Sequence, residues 1–269
     1  MRIGTVELGG GAPLVLIAGL NVIEDADATL ACARTLQAIA AERELPLIFK
    51  ASFDKANRSS LDSFRGVGLE RGLEILGEVG RQTGLPLLTD VHETAQVEAV
   101  AAVVDCLQVP AFLCRQTDLI VACAASGRPV NLKKGPFASP QEMRLAVEKA
   151  RKSGGHAFVT ERGTRFGYHD LVVDMRSLTL LRAVAPVCFD ATHAVQYPGS
   201  GETASGGDRR FVAPLARAAV AAGVDALFLE AHPDPDRAPC DGPSQIDFDD
   251  LSRLLVEVCA MERALGKLD

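Results

Sequence analysis

Residues 45–52 read LPLIFKAS, an apolar run that ends on Lys50 and Ser52. A strand buried on both faces has no packing reason to finish on a cation. The same form recurs at 13–19 (PLVLIAG), 86–92 (PLLTDVH), 106–111 (CLQVPA), 129–135 (PVNLKKG), 157–163 (AFVTERG), 187–193 (VCFDATH) and 226–232 (ALFLEAH). Each run starts apolar and acquires polar residues at or just past its end: Asn21, Lys50, Asp90 and His92, Gln108, Lys133, Arg162, His193, and Glu230 with His232. Between the runs, stretches 27–43, 69–83, 93–103, 140–153, 170–183, 211–222 and 247–265 read as helices. Leu73, Leu76 and Val79, or Leu251, Leu254, Leu255 and Val258, recur at helical spacing. Eight alternations predict a parallel sheet, and eight strands is the number that closes. The expectation is therefore a TIM (β/α)8 barrel forming a single domain over 1–269, with residues 1–10 as a short N-terminal hairpin or lead beneath it. A doubly wound open sheet is the structural alternative. In a closed barrel all the polar strand ends share one rim, the face on which such folds carry chemistry.

Composition narrows what that rim does. A net charge of −7, no Trp and two Tyr argue against a nucleic-acid or anionic-membrane binder. Local cation clusters still allow small anionic partners. Seven cysteines at 32, 106, 114, 123, 188, 240 and 259, without a CxxC pair, predict reduced thiols in a cytoplasmic protein. The start MRIGTVELGG lacks a signal-peptide pattern, and no apolar run approaches about 18 residues, so no membrane segment is expected.

The segment 50–60, KASFDKANRSS, holds Lys50, Lys55 and Arg58 among Ser52, Asn57, Ser59 and Ser60. Ammonium and guanidinium groups with hydroxyl and amide donors are what phosphate or carboxylate oxygens need. Lys133 and Lys134, Arg162 and Arg165, and Arg115 add to the same rim, although strand alternation predicts that only one of the two lysines faces inward. At least six converging cations, if unpaired, imply a resident anion and room for two anionic substrates. Acid–base candidates are Asp90 and His92, Asp190 and His193, Glu230 and His232, and Asp241. His193, Glu230 and Asp241 are also a mixed nitrogen and oxygen set that a divalent metal could use, but no close-spaced pair such as HExxH supports it. No Walker loop or GxGxxG follows a strand.

From about residue 13 to 257 the chain resembles the 3-deoxy-D-manno-octulosonate 8-phosphate synthases, also called 2-dehydro-3-deoxyphosphooctonate aldolases. The likeness rests on KASFDKANRSS, SFRGVGLE, LTDVHE, LQVPAFLCRQTDL, VNLKKG, TERGTRFGY, DATHAVQYPG, SGGDRRFV and LEAHPDPDRAPCDGPS. It implies a homotetramer that condenses phosphoenolpyruvate with D-arabinose 5-phosphate for lipopolysaccharide sugar biosynthesis. It places Lys50, Ser52, Lys55, Gln108, Lys133 and Arg162 around phosphoenolpyruvate. Asn57, Arg58 and Ser59 would hold the sugar phosphate, with Asp90 among the substrate-binding groups and Arg115 reaching in from a neighbouring subunit. His193 and Gln196 would lie beside the reacting carbons, with Glu230 and Asp241 close by. The sister synthases that use erythrose 4-phosphate carry Lys-Pro-Arg-Thr where this chain has Ala56-Asn57-Arg58-Ser59; they, and a catalytically silent phosphosugar-binding barrel, are the alternatives. Metal-dependent members place a Cys ligand after the first strand. Here that position is Asn21, and the run Cys240-Asp241-Gly242-Pro243-Ser244 resembles the metal-independent members, so the resemblance implies no metal and no cofactor.

Overall fold

The computed structural model describes residues 1–57, 60–168, 170–198 and 206–266. A two-stranded hairpin, β1 (Arg2–Ile3) and β2 (Val6–Glu7), precedes the main sheet. Barrel strands β3 (Val15–Gly19), β4 (Leu47–Lys50), β5 (Leu87–Asp90), β6 (Cys106–Val109), β7 (Val130–Lys133) and β8 (Ala157–Glu161) follow in order. A surface ribbon, β9 (Thr164–Phe166) with β10 (Asp170–Val172), interrupts the series before β11 (Val187–Asp190). A second small ribbon, β12 (Gln196–Tyr197) with β13 (Gly206–Gly207), precedes the last barrel strand, β14 (Ala226–Glu230). The eight barrel strands pair in parallel, and β14 closes against β3.

The helices are α1 (Ala26–Ala41), α2 (Leu69–Thr83), α3 (Val97–Ala101), α4 (Thr117–Ala125), α5 (Pro140–Lys152), α6 (Arg176–Arg182), α7 (Val212–Ala221) and α8 (Phe248–Ala264). Their starts follow local chemistry. Asp25 caps α1 at the Ala28 N–H (2.8 Å), Asp247 caps α8 at the Asp250 N–H (2.7 Å), and Ser139 with Glu142 forms a capping box ahead of α5.

Strand alternation sorts the core into two parts. Val130 and Leu132 point outward into the layer between sheet and helices. Ile17, Ile48, Leu88, Cys106, Phe158, Cys188 and Phe228 point inward, and Ile3, Val6 and Leu8 of the leading hairpin region close the bottom of that inner core. Two residues further along the same inward rows stand Lys50, Asp90, Gln108, Thr160, Asp190 and Glu230. At the corresponding place on β3 is Gly19, where a Cβ would meet the Lys50 carbonyl oxygen at 1.8 Å. Only glycine lets the two backbones approach there.

Two expectations for the helices change. Residues 170–183 were expected to be one helix, but only Arg176–Arg182 is helical, because 170–172 pairs with 164–166 in the ribbon. Residues 117–125, outside the helical stretches named from sequence, form α4 and bury Leu119, Ile120, Cys123 and Ala124. All seven cysteines are free and buried. Among the described residues no helix is long and apolar enough to cross a membrane.

Candidate active site

The polar ends of the inward rows open onto a cavity of about 440 Å³ at the carboxyl ends of the barrel strands. Lys50, Lys55, Asn57, Asp90, Gln108, Lys133, Arg162, His193, Gln196 and Asp241 line it. Asn21, Ser52 and Glu230 lie buried just beneath, in contact with lining residues. Arg115 is exposed and outside the cavity. Arg58 and Ser59 lie outside the described residues.

Under the cations sits a layer of carboxylates. Asp190 accepts from the Lys133 ammonium, from the Thr192 hydroxyl (3.0 Å) and from the His193 backbone N–H (2.9 Å). Glu230 Oε1 accepts from Lys50 Nζ at 2.8 Å, and its Oε2 accepts from Asn21 Nδ2 at 2.5 Å. The His193 ring lies between the two acids, with Nδ1 2.7 Å from Asp190 and Nε2 3.5 Å from Glu230. Lys133 Nζ also stands 3.6 Å from the centre of the Phe228 ring, whose negative face favours a cation.

Among the described residues the cations of this rim are not all unpaired. Lys50 and Lys133 are ion-paired, since burying an uncompensated charge is costly. As alternation predicts, Lys134 faces away from the mouth. Its Nζ is caged by the carbonyls of Gly135, Ala138 and Gly163 and by Glu161 at 3.2 Å. Lys55, Arg162 and Arg165 remain without an ion pair among the described residues. That surplus, smaller than expected, is what an anion would neutralise. Lys55 Nζ rests on Ser52 Oγ at 2.9 Å, and Arg162 is held by the His193 carbonyl (3.1 Å) and by Gln196 Oε1 (2.5 Å).

Charge states follow from this layering. Burial alone would drive Lys50 toward its neutral form, but Glu230 and Asp90 outweigh it and hold the amine charged. Burial and the adjacent Lys50 charge lower the pKa of Lys55. Burial also opposes ionisation of Asp90, Asp190 and Glu230. His92 and Lys55 at the first, His193 and Lys133 at the second, and His193 and Lys50 at the third pull all three below the usual carboxylate range. A carboxylate whose folded pKa lies below its unfolded value stabilises the fold above the unfolded pKa and loses that contribution as pH falls. The thermal midpoint is therefore expected to be steady above about pH 5 and to drop progressively below about pH 4. A midpoint unchanged by calorimetry down to about pH 3 would contradict these depressed carboxylates.

Asp90 Oδ2 faces His92 Nε2 at 3.0 Å, while Asp90 Oδ1 and His92 Nδ1 are buried without a hydrogen-bond partner. Buried polar atoms left without a protein partner are uncommon and call for one from elsewhere. Asp241 occupies the left-handed backbone region (φ 51°), which a non-glycine residue adopts at a cost and which clusters at functional sites. Residues with little sequence signal also contribute. Pro110, Phe112 and Leu113 form an apolar wall, marked only by following a strand end. Glu161 accepts from the backbone N–H groups of Arg162 (2.9 Å) and Gly163 (2.7 Å), and its charge just before Arg162 was the available clue.

Potential ligand atoms of His193, Glu230 and Asp241 lie within 4.8 Å of one another. The Asn21 amide stands at the remaining corner and turns its N–H groups to Glu230 Oε2 and to Asp241 Oδ2 (3.1 Å). A donor aimed at both carboxylates, with the Lys50 ammonium already on Glu230, is a poor fit to a tightly held transition metal.

A closed (β/α)8 barrel with buried ion pairs and surplus cations at its carboxyl mouth defines an enzyme for small anionic substrates. The chain belongs to the DAHP synthetase I family, whose profile it matches over residues 2–266. It is 54% identical to the 2-dehydro-3-deoxyphosphooctonate aldolase of Syntrophotalea carbinolica over 264 residues, covering 97% of this chain and 95% of that one. The proteins of the same name from Geotalea daltonii (53% over 264 residues, 97% of each chain) and Paraburkholderia xenovorans (51% over 275 residues, 99% and 97%) are similar throughout as well.

Proposed function

We propose that this enzyme condenses phosphoenolpyruvate with D-arabinose 5-phosphate and water, giving 3-deoxy-D-manno-octulosonate 8-phosphate and inorganic phosphate. The observation that carries the reading is the near-full-length identity of 51–54% to proteins named for that product. Carbon 3 of phosphoenolpyruvate attacks the sugar aldehyde, water adds at carbon 2, and phosphate leaves by C–O cleavage. Lys50, Gln108, Lys133 and Arg162 would grip the phosphate and carboxylate of phosphoenolpyruvate. Asn57, Arg58 and Ser59 would take the sugar phosphate, with Asp90 and His92 available to its hydroxyls. Holding two reactants in near-attack geometry removes much of the entropic barrier. The aldehyde oxygen gains negative charge as the new bond forms, and Lys55 is suited to protonate it because its lowered pKa makes it a better acid. His193 and Gln196 would flank the reacting carbons, with Glu230 and Asp241 ordering them.

The reaction is assigned no metal and no cofactor, on the strength of the Asn21 hydrogen bonds. We place the enzyme in the cytoplasm, in the supply of sugar for lipopolysaccharide, as one domain that assembles into a homotetramer. The exposure of Arg115 outside its own cavity, beside the exposed Phe112, supports a role for Arg115 at a neighbour's mouth. The test is phosphate release from phosphoenolpyruvate with each aldose in turn. Turnover with arabinose 5-phosphate at least about 100-fold above that with erythrose 4-phosphate is expected. The opposite preference would give the sister activity, and ligand binding without product would leave a silent barrel.

A further inference from the structure

Gln108 lines the mouth through an amide, and an amide offers an anion either a donor or a repulsive oxygen, depending on which end faces out. The side chains below it determine which. Gln108 Oε1 accepts from Asn131 Nδ2 at 2.9 Å, and Asn131 Oδ1 accepts from the Thr160 hydroxyl at 2.6 Å. All three residues are buried, at 4%, 0% and 0% exposure, and Asn131 and Thr160 are shielded from bulk solvent. The lengths agree with this polarity: 2.6 Å suits O–H···O, and 2.9 Å suits N–H···O. Parallel register brings them together, with Gln108 paired to Asn131 across β6 and β7 and Lys133 paired to Thr160 across β7 and β8.

We propose that Asn131 and Thr160 are positioning residues that lock the Gln108 amide with its N–H groups toward the anion in the mouth. The Thr160 hydroxyl donates a hydrogen bond to Asn131 Oδ1, Asn131 Nδ2 donates in turn to Gln108 Oε1, and Gln108 Nε2 is left for the cavity. Reversing any one link turns an oxygen toward the ligand or leaves a buried polar atom unpaired. The anion is phosphoenolpyruvate, and in that respect the proposal rests on the function given above.

The experiment is steady-state kinetics on Thr160→Val, Thr160→Ser, Asn131→Asp and Gln108→Met, with the first and third also combined with Gln108→Met. Thr160→Val removes the donor, and the isosteric Asn131→Asp demands a donor from Gln108 and so reverses its amide. Each is expected to raise KM for phosphoenolpyruvate about tenfold or more, with kcat within about threefold and KM for the aldose unchanged. Thr160→Ser restores the hydroxyl and should return KM to within about twofold of the parent. In the Gln108→Met background Thr160→Val should add less than about twofold, because no amide remains to be turned. For Asn131→Asp the added charge persists in that background, so its effect there should shrink but not vanish. A KM within about twofold of the parent for both single variants would overturn the proposal, as would an undiminished Thr160→Val effect without Gln108. If Thr160→Val does not fold, the Asn131→Asp comparison with and without Gln108 decides alone. Should the parent enzyme not turn over phosphoenolpyruvate, the proposed function fails by itself. The relay is then read from calorimetric titration of phosphoenolpyruvate into the same variants, on the same criteria.

Discussion

Lys133→Met is expected to lower kcat/KM for phosphoenolpyruvate by about 10³-fold, roughly 4 kcal/mol of lost transition-state stabilisation. Three observations set that size. The ammonium is buried at the mouth, lies over the Phe228 ring, and is the cationic partner of Asp190. Methionine fills the volume but gives up the charge that would meet phosphate or carboxylate. It also leaves Asp190, itself fully buried, to the Thr192 hydroxyl, the His193 backbone and the His193 ring. Breaking a buried ion pair costs about 3–5 kcal/mol of stability, so the thermal midpoint should fall as well. Lys133→Arg separates the two effects: it keeps the charge and much of the stability, yet its larger fork cannot occupy the same place over Phe228. Activity of Lys133→Met within about tenfold of the parent would remove Lys133 from the anion site, whatever the change in stability.

The legibility of this lysine in the sequence explains what else was legible. Its strand reads VNLKK, and period-two alternation alone turns Asn131 and Lys133 inward while Val130 and Leu132 go outward. The same logic applies to the inward rows that reach Lys50, Asp90, Gln108, Thr160, Asp190 and Glu230, because polar inward residues gather toward the open end of a closed interior. Pairing was harder to see. Asp190 and Glu230 are each close in space to lysines far from them in sequence, and nothing local announces a carboxylate layer beneath a cationic one. The surplus of positive charge was therefore overstated. Helix α4 was missed for a related reason: TDLIVACAA is apolar around most of its circumference, so it lacks the amphipathic contrast that marks α2. Residues 170–172 fall in the stretch expected to be helical because so short a segment fits either period, and pairing with 164–166 decides for the ribbon. The Thr160–Asn131–Gln108 relay was not legible at all, since amide polarity depends on three strands at once.

Asn21→Cys is expected to change the chemistry of the mouth more than its size. In the native chain the Asn21 amide donates to Glu230 and Asp241 together, so two neighbouring carboxylates share a neutral donor. Cysteine takes that donor away and, as a thiolate, adds a soft anionic ligand to His193, Glu230 and Asp241, whose ligand atoms already lie within 4.8 Å of one another. Three anionic groups without a bridging N–H would repel one another unless a cation entered, so the metal-free variant should be impaired. The parent enzyme is expected to keep its activity within about twofold after treatment with EDTA. The chelated variant should lose about 10–100-fold and recover with Mn²⁺ or Zn²⁺, and elemental analysis should find about one bound ion per chain. The two outcomes test different statements. Inactivation of the parent by EDTA with rescue by either ion would overturn the proposal that it needs no metal. A variant that binds no ion would instead show that the Asn21 amide is not what keeps the corner closed, and would shift that role to the Lys50 ammonium on Glu230.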